Sequence, residues 1–100
     1  MVESELSKLF YACSLWDIQK ARLNLCKHGV NFEQACEVFF DPFIRIVDAS
    51  AEYEARDAVI GVTSSGKHLF VVHIQLEEDC FRIISARKVT KKERYYYENQ

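Results

Sequence analysis

One proline and three glycines are all the backbone punctuation in this chain of 100 residues. Pro42, Gly29, Gly61 and Gly66 leave no Pro/Gly-rich linker, and no repeat or low-complexity segment divides the chain, so the sequence predicts one domain over 1–100. No apolar run approaches the roughly 20 residues of a membrane-spanning helix. The opening MVESELSKLF carries acids where a secretory leader carries cations. The chain therefore reads as cytoplasmic, with no membrane partner. Its four cysteines form no CxxC pair, which argues against a zinc knuckle or a thioredoxin-type site. Cys26 and Cys36 fall on apolar helical positions and read as buried thiols. His28, His68 and His73 show neither HxH nor HxxxH spacing, so neither a metal site nor a cofactor is expected.

What the chain does have is an uneven distribution of charge. Residues 1–81 hold 7 Lys/Arg against 13 Asp/Glu, whereas 82–94 hold 6 Lys/Arg and a single Glu, within an overall net charge of -2. Such an asymmetry marks either a polyanion-binding face or a solvated surface.

Local signals divide the chain into helices first and strands afterwards. Residues 1–14 are ambiguous between a strand at FYACSLW and the end of a helix. Asp17 is an N-cap, Ile18, Ala21, Leu25 and Cys26 recur at helical spacing, and Lys27, His28 and Gly29 form a helix stop. Asn31 and Gln34 form a capping box for a second helix with the apolar stripe Phe32, Ala35, Cys36 and Phe39. That helix ends at Asp41-Pro42, because proline excludes helical geometry for its predecessor. The period then falls to two. Strands are predicted over 43–47, 56–62, 68–76 and 80–87, and the short turns between the later ones imply an antiparallel meander. Thr90 and Glu93 box a final helix whose first turn holds Lys91, Lys92 and Arg94. Tyr95, Tyr96 and Tyr97 cannot share one helical face, so one or two should pack on the sheet. Trp16 reads as a core anchor. The expected fold class is α+β: two N-terminal helices on a four-stranded antiparallel sheet, with a short C-terminal helix.

Two motifs are specific in combination: KHGVNFE at 27–33 and RIISARKVTKKER at 82–94. With Trp16-Asp17, Val38-Phe39, Asp41-Pro42, Arg56, Ile60-Gly61 and Val71-Val72 between them, the chain resembles the BrnT family of toxins from Trp16 to its end. The resemblance implies a RelE-like fold and a ribonuclease that blocks translation. It also implies neutralisation by a BrnA-type antitoxin, through which alone the toxin would meet DNA.

RNA cleavage without a metal uses the 2′-OH as nucleophile, so the protein must move protons and stabilise charge on the phosphate. Arg87, at the end of the last strand, is the first candidate for the phosphate; otherwise it is a surface arginine paired to an acid. Glu54 and Arg56 share a face, as a catalytic pair or as a structural ion pair. Lys27 suits a phosphate contact. His28 suits proton transfer, or else caps and packs its helix. His73 reads as a satisfied sheet histidine, and His68 as an exposed strand start. Arg82, Lys88, Lys91, Lys92 and Arg94 are candidates for the RNA backbone. Strict alternation sends Arg82 and Arg87 to opposite faces unless a bulge intervenes. The alternative reading is an antitoxin-binding module with little or no activity, acting in a DNA-bound regulatory complex. Asp57 and the acidic balance motivate it.

Overall fold

The computed structural model describes residues 14–48, 57–77 and 80–100. The elements run β1 (Ser14–Leu15), α1 (Ile18–His28), α2 (Phe32–Glu37), a 3₁₀ turn (Val38–Phe40), β2 (Arg45–Asp48), β3 (Asp57–Val62), β4 (His68–Glu77), β5 (Cys80–Lys88) and α3 (Lys91–Glu98). The sheet order is β1-β5-β4-β3-β2. The last four strands form the predicted antiparallel meander. The two residues of β1 add a parallel edge beside Phe81 and Arg82.

The helix ends follow their sequence signals. Asp17 accepts from the Lys20 N–H, Gly29 takes a left-handed φ of 71°, and Asn31 and Thr90 each close a full capping box. The α-helical part of the second helix stops at Glu37, before Asp41-Pro42. The intervening turn tightens to 3₁₀ geometry, whose last carbonyl bond runs from Asp41 N–H to Val38.

The core lies between the sheet and the first two helices. Phe32, Ala35 and Val38 from the helical side meet Val59, Leu69, Val71 and Ile83 from the sheet, and Trp16 packs against them, its ring meeting Phe32 edge-on. The 3₁₀ turn lies so close to β3 that a Cβ on Gly61 would stand 2.9 Å from the Val38 Cβ and 3.0 Å from its carbonyl oxygen. On the opposite face a smaller cluster joins Ala58, Val72, Phe70, Ile84 and Val47.

The predicted apolar stripe of α1 is not its buried face. Ile18 and Leu25 are exposed, Cys26 is exposed, and the one buried residue is Asn24, flanked by half-buried Ala21 and His28. The reason is a hydrogen-bond requirement. Beyond β1, strand β5 is an edge, and its backbone needs partners. The Asn24 amide donates to the carbonyl oxygens of Ala86 (2.8 Å) and Val30 (2.9 Å) and accepts from the Ala86 N–H (3.1 Å). One side chain thus pairs the edge of β5 as a further strand would. Cys36, by contrast, is buried as predicted.

Candidate nucleic-acid interface

The β3–β4 hairpin and the β5–α3 junction enclose a cleft of about 310 Å³, lined by Lys67, His68, Lys88, Lys91 and Arg94, with Gly66, Val89 and Thr90 completing its wall. No acidic residue among the described ones lines it. The hairpin is closed by Thr63 N–H to Lys67 O and by Gly66, whose φ of 88° only glycine adopts without strain. Val89 N–H donates to His68 O, which fixes the junction against the hairpin. The capped N-terminus of α3 opens here, adding the positive end of its dipole to the four cationic side chains. One of the four, Arg94, also donates through Nε to Glu98 Oε2 at 3.0 Å.

Arg87 stands beside the cleft. It pairs with Phe70 across β4–β5, and His68 lies two residues further along β4 on the same face. Its guanidinium lies 4.2 Å from the Phe70 ring centroid and donates to both oxygens of Glu93, at 2.8 and 2.9 Å. Glu93 Oε1 also accepts the Thr90 N–H at 2.8 Å. The Arg87 bonds hold the Glu93 carboxyl below the usual carboxylate range. Of the two roles expected for Arg87, pairing with an acid is thus realised in this structure. A register shift between Val72 and His73 leaves Ile84 as an extra residue in β5. Arg82 consequently pairs with Ile74 and Arg87 with Phe70, and both arginines fall on one face of the sheet.

Helix α3 covers that face through residues 93, 96 and 97. Tyr97 meets His68 edge-on at 5.4 Å between centroids, and its hydroxyl donates to Asp41 Oδ2. Burial and the Asp41 carboxylate push the Tyr97 hydroxyl up to about 12. Asp41 also accepts from Val62 N–H and Phe43 N–H, so one carboxylate ties α3 to β3 and to the turn before β2. The Tyr96 ring lies 4.0 Å beneath the Arg45 guanidinium, and Tyr95 is exposed. Tyr97 and Tyr96 thus contact sheet residues, but Tyr96 remains exposed as Tyr95 is, and only Tyr97 is half-buried.

Lys27 and His28 line a separate, shallower depression of about 200 Å³ with Asn24, Ile84 and Ser85, on the edge of β5. His73 packs against the rings of Phe39 and Phe81. It is a sheet histidine, and its buried Nδ1 has no hydrogen-bond partner of good geometry among the described residues. Burial lowers its pKa, only partly offset by the Asp57 carboxylate opposite it on β3.

Of the sequence-predicted residues, Lys88, Lys91 and Arg94 come together in the cleft, Arg87 adjoins it, and Arg82 shares its face of the sheet. Lys27 and His28 gather elsewhere, and Lys92 does not line either site. Glu54 and Arg56 lie outside the described residues. Among the described residues no group of three or more His, Cys, Asp or Glu side chains is placed to hold a metal ion. No helix among them is long and apolar enough to cross a membrane. Sequence reasoning missed Lys67, His68, Asn24 and the Asp41–Tyr97 tie. The available signal was the SSGKH hairpin: a tight turn puts its closing residues level with the far end of the next strand, here Lys88.

A cleft lined by four cationic side chains lies at one end of the sheet, with no acid among its described lining residues. Residues 16–93 match the family described as "Ribonuclease toxin, BrnT, of type II toxin-antitoxin system". The chain belongs to this BrnT family of ribonuclease toxins. Its fold is similar to that of the Brucella abortus ribonuclease toxin BrnT in a 1.1 Å crystal structure. The TM-score is 0.62 at 20% identity, covering 77% of this chain and 95% of that one. No curated protein sequence matches the chain. Membership of a type II toxin family implies an RNA substrate and an antitoxin partner.

Proposed function

We propose that this chain is a single-domain, cytoplasmic ribonuclease of RelE-like type that cleaves RNA by attack of the 2′-OH, without a metal, and so blocks translation. A BrnA-type antitoxin neutralises it, and DNA is met only through that antitoxin. The cleft of Lys67, His68, Lys88, Lys91 and Arg94, with no acid among its described lining residues, is the observation that carries this reading. An RNA phosphate needs cations in a concave site, and the charge that grows on its oxygens during attack is stabilised there. Arg87, on the same sheet face, reaches that phosphate when Glu93 releases it. Arg82 extends the charged surface along β5, and Lys92 adds to it from the first turn of α3. Lys27 forms a second phosphate contact on the β5 edge, with His28 beside it for proton transfer, and Glu54 and Arg56 belong to the same catalytic set.

The closed Arg87–Glu93 fork favours a second reading. With the guanidinium occupied, the protein binds an acidic antitoxin and cuts little or nothing, serving in a DNA-bound regulatory complex.

One experiment separates the two. Purified protein is mixed with RNA in chelator, and a BrnA-type antitoxin is then added. Cleavage that the antitoxin stops supports the enzyme, whereas intact RNA with tight antitoxin binding supports the module. Changing Lys88 and Lys91 together to Ala should weaken RNA binding and flatten its salt slope by about 1.4, as two lost phosphate contacts on a single strand require. An unchanged slope would remove the cleft from the interface.

A further inference from the structure

Among the described residues His68 is the one imidazole that lines the cation-lined cleft; the others are lysines, an arginine, a threonine, a valine and a glycine. It is half-buried, which limits its freedom, and it sits on the sheet face that Arg87 shares. Its ring is also held from behind. Tyr97 meets it edge-on, Tyr97 is fixed by its hydroxyl bond to Asp41, and Asp41 is fixed by the N–H groups of Val62 and Phe43. A proton-transfer group needs this combination: placement beside the site that binds the reacting group, and a rigid support that sets its orientation.

We propose that His68 is the general base of the cleft and that Tyr97 is its positioning residue. The inference rests on the ribonuclease reading. With the scissile phosphate held by Lys67, Lys88, Lys91 and Arg94, the neutral imidazole takes the proton of the adjacent 2′-OH. The oxygen O2′ forms a bond to phosphorus, the bond from phosphorus to O5′ breaks, and O5′ takes a proton from water. The products are a 2′,3′-cyclic phosphate and a 5′-hydroxyl, and the imidazolium returns its proton to solvent. No oxidant, reductant or further reactant is needed.

The test uses the full chain and the variants His68→Ala, His68→Gln and Tyr97→Phe, each checked by melting for retention of the fold. Cleavage of an RNA oligonucleotide is followed under single turnover, and binding is measured with the 2′-deoxy oligonucleotide of the same sequence, which cannot be cut. Both His68 variants should cleave about 10²–10⁴-fold more slowly, as expected for loss of a general base, with affinity for the deoxy probe within about threefold of wild type. The ascending limb of the pH–rate profile should vanish, and added imidazole should restore part of the rate in His68→Ala. Tyr97→Phe should lower the rate with KM unchanged. A His68 variant that cleaves like wild type overturns the proposal, and so does one whose rate falls only in step with affinity, since that marks a phosphate contact. A wild-type chain that cuts no RNA defeats the ribonuclease reading itself, and the inference with it. A cutting wild type with active His68 variants defeats the inference alone.

Discussion

Glu93 holds Arg87 by both carboxylate oxygens, and through Thr90 the same carboxylate closes the cap of α3. The pair joins the last strand to the last helix and also governs whether the guanidinium is available to a ligand. Glu93→Gln keeps an acceptor for the Thr90 N–H but removes the charge. It should cost about 1 kcal/mol of stability, since the pair is partly solvated, and it should tighten RNA binding by removing a negative charge beside the cleft. Because the folded carboxyl is held below its usual range, the contribution of Glu93 is present above that range and is lost as pH falls through the lowered value. Melting of wild type and Glu93→Gln followed from pH 7 to 3 should show the gap between them closing on acidification. A constant gap would mean that the ion pair contributes nothing.

Asn24 makes three hydrogen bonds to buried backbone, two of them to Ala86. Asn24→Leu should cost about 2–4 kcal/mol, because it leaves the Ala86 N–H and two carbonyls without partners. Asn24→Asp should be worse near neutral pH, since a carboxylate has no proton to give either carbonyl. Its folded-state pKa would be raised, so the variant should gain stability as pH falls and lose it as pH rises through that value. Chemical denaturation at pH 4.5 and 7.5 checks the sign, and an Asn24→Asp protein equally stable at both would refute the edge-pairing role.

Gly61→Ala should destabilise by about 1–3 kcal/mol, the usual range for overpacking. The added methyl meets the Val38 side chain and backbone at 2.9–3.0 Å, and neither is the free end of a flexible chain. Thermal unfolding measures this directly. A neutral substitution would show that the 3₁₀ turn can slide.

His73 should make the fold sensitive to acid. Burial lowers its folded pKa below 6.5, so the unfolded chain binds the extra proton first. Its neutral form contributes fully above about 6.5, and stability falls as pH drops from there towards the folded value. His73→Leu keeps an apolar contact for Phe39 and Phe81 and should flatten the melting temperature between pH 7 and 5. A wild-type curve already flat across that interval would exclude His73 as the titrating group.

The meander was legible from the short turns between its later strands, and the helix caps, the Pro42 stop and the hairpin glycine because each depends on residues within four positions of one another. The gathering of Lys88, Lys91 and Arg94 was legible for the same reason, as they flank a single boxed helix start. The burial of α1 was not. Its apolar spacing points to Ile18 and Leu25, yet the docking face is set by the unmet backbone of Ala86, 62 residues from Asn24. Nor was the common face of Arg82 and Arg87. Alternation along one strand separates them, and only the register against β4, with its extra residue at Ile84, brings them together.

By itself the sequence determined the order of the helices and of the four meander strands, the helix caps, and the concentration of positive charge near the end of the chain. Those follow from local hydrogen bonds, fixed proline and glycine geometry, and the two periods of backbone structure. Only the tertiary structure decided which charges form a site. Strand pairing brings Lys67 and His68 of the hairpin level with Lys88, and the Asp41–Tyr97 bond lays the last helix over the sheet. The side-chain amide of Asn24 substitutes for a missing strand. Each joins residues far apart in the chain, through directional hydrogen bonds whose partners composition and spacing do not name.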